Sequence, residues 1–167
     1  NQKRQTGPSI FLGLEGIEYF KFEEDFMEAN MRCIPMAVRF KLDAVRIKLT
    51  LSAWAKFSNE KKVSLALDPC ETQTQQVKYA NRLIQWIEKY TGQRAMVVPP
   101  EKLTSDWMLG TEVPLRFRIK AAEFGWEISL KAWNSLTDLQ RYSLLKLTNP
   151  SHENKNFPIA MHEFQLV

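Results

Sequence analysis

Residues Val38–Leu67, VRFKLDAVRIKLTLSAWAKFSNEKKVSLAL, are echoed by Leu115–Leu145, LRFRIKAAEFGWEISLKAWNSLTDLQRYSLL. With two extra residues allowed in the second copy, Arg39, Phe40, Ala44, Leu51, Ala53, Trp54, Ser64 and Leu65 face Arg116, Phe117, Ala121, Leu130, Ala132, Trp133, Ser143 and Leu144. Most substituted positions keep their chemistry, as in Leu42/Ile119, Thr50/Ser129 and Ser58/Thr137. A proline precedes each copy, Pro35 and Pro114. Repetition of this kind specifies a structural unit before it specifies a reaction.

Each copy reads as three helical pieces. The first begins at Pro35 or Pro114, because the missing proline N–H has no helical partner in a first turn anyway. The second follows Thr50 or Ser129, whose hydroxyl can accept from a free backbone N–H, and it carries the tryptophan. The third follows Ser58 or Thr137. Thr137-Asp-Leu-Gln140 has the capping-box pattern; in the first copy Lys61 stands where Gln would, leaving only the Ser58 cap. Val38-Arg-Phe-Lys-Leu and Leu115-Arg-Phe-Arg-Ile alternate like strands, but the prolines, Ala121-Ala122 and a helix-ending Gly125 favour helix. Ile47–Leu51 reads as an extended connector. Between the copies, Val77, Ala80, Leu83, Ile84, Ile87 and Tyr90 recur at helical spacing across Thr72–Tyr90, and Gly92 closes that long central helix. Val97–Pro100 reads as extended, and Pro158–Phe164 as a short final helix.

The expected fold is therefore all-α: a single helical domain over 17–167, built from two similar modules (about 34–68 and 113–147) joined by the central helix. Residues 1–16 lack a clean hydrophobic signal core and read as a leader or flexible arm. Trp54 and Trp133 are expected to plug the cores of the two halves.

A chain of 167 residues with 44% hydrophobic content can bury a core without disulfide or metal staples. The two cysteines, Cys33 and Cys70, read as free thiols of a reducing cytosol. No apolar run approaches a membrane span. Net charge is +4, with an acidic early segment (Glu15, Glu18, Glu23, Glu24, Asp25, Glu28) followed by a basic one (Arg32, Arg39, Lys41, Arg46, Lys48, Lys56, Lys61, Lys62). Two solvated faces are the plain reading; a bipolar docking surface is the sharper one.

Catalytic patterns are missing. His152 and His162 form no HExxH, the cysteines form no C-x-x-C, and no phosphate-binding glycine loop or nucleophile elbow is present. Cys33, beside Arg32 and just before a helix start, has surroundings that favour thiolate, although a packed apolar role fits a free cysteine better. Basic residues are too sparse on Ser58–Leu67 and Thr137–Leu147 for a DNA-reading helix.

Three strings together, Phe20-Lys-Phe-Glu-Glu-Asp-Phe26, Met31-Arg-Cys-Ile-Pro-Met-Ala-Val-Arg-Phe-Lys-Leu-Asp43 and Lys146-Leu-Thr-Asn-Pro-Ser-His-Glu-Asn-Lys-Asn-Phe157 with Glu163-Phe164, resemble the nitrate reductase-associated protein family over about Phe20 to Phe164. Members of that family are often encoded beside assimilatory nitrate reductase and molybdopterin-synthesis genes. The resemblance implies a cytoplasmic, non-catalytic accessory, maturation or subunit-like protein that binds a molybdenum-dependent nitrate reductase. No cofactor, nucleic acid or membrane partner is expected, and the family offers no established catalytic residues to carry over. The expected contact surfaces are Phe20, Phe22, Glu23, Asp25, Phe26, Arg32 and Cys33 on one side, and His152, Glu153, Asn154, Asn156 and Phe157 on another. Two other classes stay open: a carrier of the molybdenum-pterin cofactor, and a nucleic-acid-binding helical module. The chain departs from the family pattern in its leader and at Arg46, where a small helix-ending residue such as glycine is expected.

Overall fold

A computed structural model describes residues 20–23, 33–103, 105–150 and 152–167. They are mostly helical, with eight α-helices and one two-stranded sheet among the described residues. They divide into two compact units. Among the described residues, the first holds Glu23 and 33–103; the second holds Phe20–Phe22, 105–150 and 152–167.

In the first unit, α1 (Met36–Val45), α2 (Leu51–Lys56), α3 (Asn59–Leu67) and α4 (Gln73–Thr91) are joined by β1 (Ile47–Lys48), which pairs antiparallel with β2 (Met96–Val97). The extended connector is thus a short strand whose backbone finds partners, Ile47 opposite Val97 and Lys48 opposite Met96. Pro35 is the residue just outside α1 rather than its first helical residue, and its carbonyl accepts from Val38 and Arg39. Arg46 ends α1 in the left-handed conformation at φ 58, where the family pattern leads one to expect glycine. Its carbonyl accepts from Val98 N at 2.7 Å. Thr50 caps α2 through Ala53 N, and Ser58 caps α3 through Lys61 N without a reciprocal bond. Thr72 and Gln75 form a capping box at α4 that the sequence reading passed over. Gly92 closes α4 at φ 68.

The core of this unit surrounds Trp54, fully buried, with Val38, Leu42, Phe57, Leu65, Leu83 and Ile87. The α4 face is rotated from the expected one. Tyr79 is buried and Val77 is 53% exposed. The reason is polar: the Tyr79 hydroxyl donates to Leu65 O at 2.7 Å, so a ring with a polar tip can enter the core.

In the second unit, α5 (Leu115–Ala122), α6 (Leu130–Asn134), α7 (Asp138–Lys146) and α8 (Phe157–Glu163) enclose Phe117, Trp133, Leu144, Phe157, Ala160 and Met161. Ser129 caps α6, and Thr137 with Gln140 forms the expected capping box. Gly125, at φ 76, completes the turn after α5: Trp126 N donates to Ala121 O and Gly125 N to Ala122 O. The buried Arg141 guanidinium donates to Trp107 O, Leu136 O and Asp138, tying the segment before α5 to α7. That basic side chain is accordingly not offered to a nucleic acid.

The first helices of the two units make matching local bonds through residues other than those paired by letter. Arg39 Nε donates to Ile34 O, the carbonyl before Pro35; Arg118 Nε, not Arg116, donates to Val113 O, the carbonyl before Pro114. Phe117 is fully buried, as Val38 is, whereas Phe40 is half-buried.

Candidate functional site

Among the residues expected at the contact surfaces, Phe20 and Phe22 stack on each other at 5.4 Å and both meet Phe164 edge-on. The Glu163 carboxylate accepts from Lys21 N at 3.0 Å and Phe22 N at 3.1 Å. These bonds hold the segment against α8, with both rings buried. Glu23 is also buried, and Oε1 accepts from Met36 N at 2.6 Å, satisfying a free N–H at the start of α1. Its carboxylate also complements the positive end of that helix. Asp25, Phe26 and Arg32 lie outside the described residues. Cys33 is half-buried.

At the other expected surface, His152–Asn156 form a 3-10 turn leading into α8. The side chains of His152 and Glu153 lie outside the described set. Asn154 Nδ2 donates to Asn149 O at 2.9 Å, tying down the turn. Asn156 is buried, and Phe157 is packed between Phe117 and Phe124. Phe20, Phe22, Glu23 and Phe157 thus make contacts within the fold, and Asn156 is buried with its Nδ2 unpaired among the described residues.

Other ionisable groups of the first unit, buried or half-buried, also face inward. Lys41 Nζ donates to Ala66 O at 2.7 Å and Asp68 O at 2.6 Å, satisfying carbonyls at the end of α3. Burial pulls its ammonium below the ordinary lysine value. Cys70 Sγ lies 3.9 Å from Lys41 O, and burial pushes its thiol up, against the pull of the Lys41 charge. A thiol held protonated is a poor nucleophile. Lys62 is buried with its ammonium 5.3 Å from the Trp54 ring centre, and burial lowers its pKa. Among the described residues, no group of three His, Cys, Asp or Glu side chains is placed to hold a metal ion. No helix among them is long and apolar enough to cross a membrane.

One arrangement in the first unit faces outward, and the sequence reading missed it. Arg82, Trp86, Lys89 and Tyr90 fall on one side of α4, and Lys61 of α3 reaches them. Lys61 Nζ sits 5.4 Å from the Trp86 ring centre and 5.3 Å from that of Tyr90. Arg82 lies over Trp86 at 5.9 Å and Lys89 over Tyr90 at 5.5 Å. Phe57, buried beneath, meets both rings edge-on at 6.0 Å. The Tyr90 phenol is lowered below its ordinary value, first by its hydrogen bond with Lys61 and also by the nearby Lys61 and Lys89 charges. The signal was available: positions 82, 86, 89 and 90 share a helix face. The sequence reading places Tyr90 with the residues that recur at helical spacing along this helix.

Among the described residues, Glu23, Glu163, Lys41 and Arg141 bond to the protein's own backbone. The chain belongs to the family of conserved nitrate reductase-associated proteins, whose model matches residues 19–164. No curated protein and no solved structure matches it.

Proposed function

We propose that this chain binds a molybdenum-dependent assimilatory nitrate reductase in the cytoplasm and supports its assembly or activity without catalysing a reaction itself. The family match over nearly the whole chain carries this reading. The fold supports it: Glu23 and Glu163 are occupied by backbone N–H groups, and Lys41 and Arg141 by backbone carbonyls, which are stabilising duties. The contact falls to the members of the expected set that are not seen buried: Cys33 and Asn154, with Asp25, Phe26, Arg32, His152 and Glu153. The buried members, Phe20, Phe22, Glu23, Asn156 and Phe157, position the segments that carry the others.

We further propose that residues 17–167 form one folding domain made of two copies of a single helical module. One constant spacing supports the duplication: it carries Pro35 to Pro114, Arg39 to Arg118, Arg46 to Gly125, Thr50 to Ser129, Trp54 to Trp133, Ser58 to Thr137 and the buried Lys62 to the buried Arg141. No insertion is needed.

The test is retention of nitrate reductase by the immobilised full chain from extracts of nitrate-grown cells. The reductase is expected among the retained proteins, with loss on changing Arg32→Ala together with His152→Ala. No retention by the unaltered chain would refute the reading. Retention unaffected by the double change would refute the surface assignment alone.

A further inference from the structure

We propose that the cation-lined row of Lys61, Arg82, Trp86, Lys89 and Tyr90 is a docking surface for an acidic polypeptide segment. The charge balance around it is one-sided. Helices α2, α3 and α4 carry six lysines and arginines (Lys56, Lys61, Lys62, Lys78, Arg82, Lys89) against two carboxylates, Glu60 and Glu88. Asp68 pairs with Arg82, which leaves Lys61 and Lys89 as ammonium groups with no carboxylate within salt-bridge reach among the described residues. Lys89 is exposed and Lys61 half-exposed, so an incoming carboxylate can reach either.

The rings fix where these charges stand. An isolated surface lysine samples many rotamers, and ordering it on binding costs side-chain entropy. Here Lys61 is held between two aromatic faces, while Phe57 braces both rings from below. The cations are therefore arrayed before a partner arrives, which lowers the cost of docking. A carboxylate landing beside Lys61 completes a carboxylate–ammonium–ring sandwich. The next acidic residue of an extended segment meets Lys89.

The same geometry argues against nucleic acid. Single-stranded readers stack bases on open aromatic faces. The Trp86 face is approached by Lys61 and Arg82, and the Tyr90 face by Lys61 and Lys89, so a base would have to displace those cations. Three cations, one already paired, also fall short of a phosphate-tracking stripe.

The experiment is fluorescence anisotropy of a short fluorescein-labelled oligoglutamate peptide titrated with the full chain. A single-stranded oligonucleotide of equal charge is titrated in parallel. Binding is expected to weaken about tenfold in Lys61→Gln combined with Lys89→Gln, and to weaken steeply with added salt. Lys61→Arg, which keeps the charge and the ring contact, is expected to retain binding and shows that the row tolerates substitution there. Lys102→Gln, an exposed lysine outside the row, removes a charge elsewhere and is expected to change binding less than about twofold. Equal losses in Lys102→Gln and the double variant would mean that only net charge matters, and would overturn the proposal. So would an unaffected double variant. Tighter binding of the oligonucleotide with the same variant dependence would reassign the row to nucleic acid.

Discussion

Arg46 and Gly125 offer a test of the backbone account in which the two substitutions must move stability in opposite directions. Both residues lie in the left-handed region, Arg46 as the cap that ends α1 at φ 58 and Gly125 in the turn after α5 at φ 76. A side chain in that region costs about 1–2 kcal/mol, from Cβ crowding the following carbonyl. Glycine avoids that cost but loses about 0.5–1 kcal/mol more conformational entropy on folding. Arg46→Gly should therefore stabilise the protein by about 0.5–1 kcal/mol. The bond from Val98 N to Arg46 O survives, since it uses only backbone. Gly125→Ala should destabilise by a similar amount, about 0.5–1 kcal/mol. A Cβ there meets nothing within 4 Å, so no clash is added to the backbone term. In urea unfolding, with a slope of about 2 kcal/mol per molar, each midpoint should move by about 0.2–0.5 M at unchanged slope. A lower midpoint for Arg46→Gly, or a higher one for Gly125→Ala, would refute the argument.

Trp133→Ala should cost about 3–5 kcal/mol, since it empties a fully enclosed site against Phe117; a midpoint shift under about 0.5 M urea would contradict this. Glu23→Gln should cost about 1–2 kcal/mol by weakening the bond to Met36 N and removing a charge from the α1 start, read from the same urea curves. Tyr79 has its pKa raised well above 10 by burial, so it contributes full stability below the ordinary tyrosine value, and this is lost as pH rises through its folded pKa. Unfolding on the alkaline side should begin above about pH 10, and Tyr79→Phe should flatten that limb. Tyr90 shifts the other way, so absorbance titration near the phenolate band should show it ionising first, with Lys61→Gln moving it back up. Cys70, with a raised thiol, should resist iodoacetamide until the chain unfolds, and mass mapping of the labelled peptide would show this.

Local polar signals were the most legible part of this fold. Thr50, Ser58, Ser129 and Thr137 each cap the helix expected of them, because a hydroxyl and a nearby free N–H are enough to decide the bond. Both tryptophans reach the cores for an equally local reason: no other residue in their short helices carries comparable apolar area. The bonds within the first helices were not legible. Arg39-Phe40 and Arg116-Phe117 match by letter, yet Arg118, not Arg116, makes the bond that Arg39 makes, and Phe117 is buried while Phe40 is half-buried. The rotated face of α4 was hidden because Tyr79 counts as polar until Leu65 O is placed beside its hydroxyl. Several expected contact residues turned inward for a related reason. Phe20, Phe22 and Phe157 stood in distinctive strings, and a string records that a position matters without saying whether it packs or is presented. The cation-lined row escaped because Lys61 joins it from another helix, across a turn of the chain that no linear pattern reveals.

The central claim is that this chain serves nitrate reductase rather than catalysing on its own. Its most direct test measures reductase activity and reductase polypeptide side by side in nitrate-grown cells deprived of the chain, then resupplied with it. The account predicts that activity or polypeptide falls on removal and returns on resupply, while the purified chain alone turns over no nitrate. Reductase level and activity that ignore the chain's presence, or nitrate reduction by the chain by itself, would contradict it.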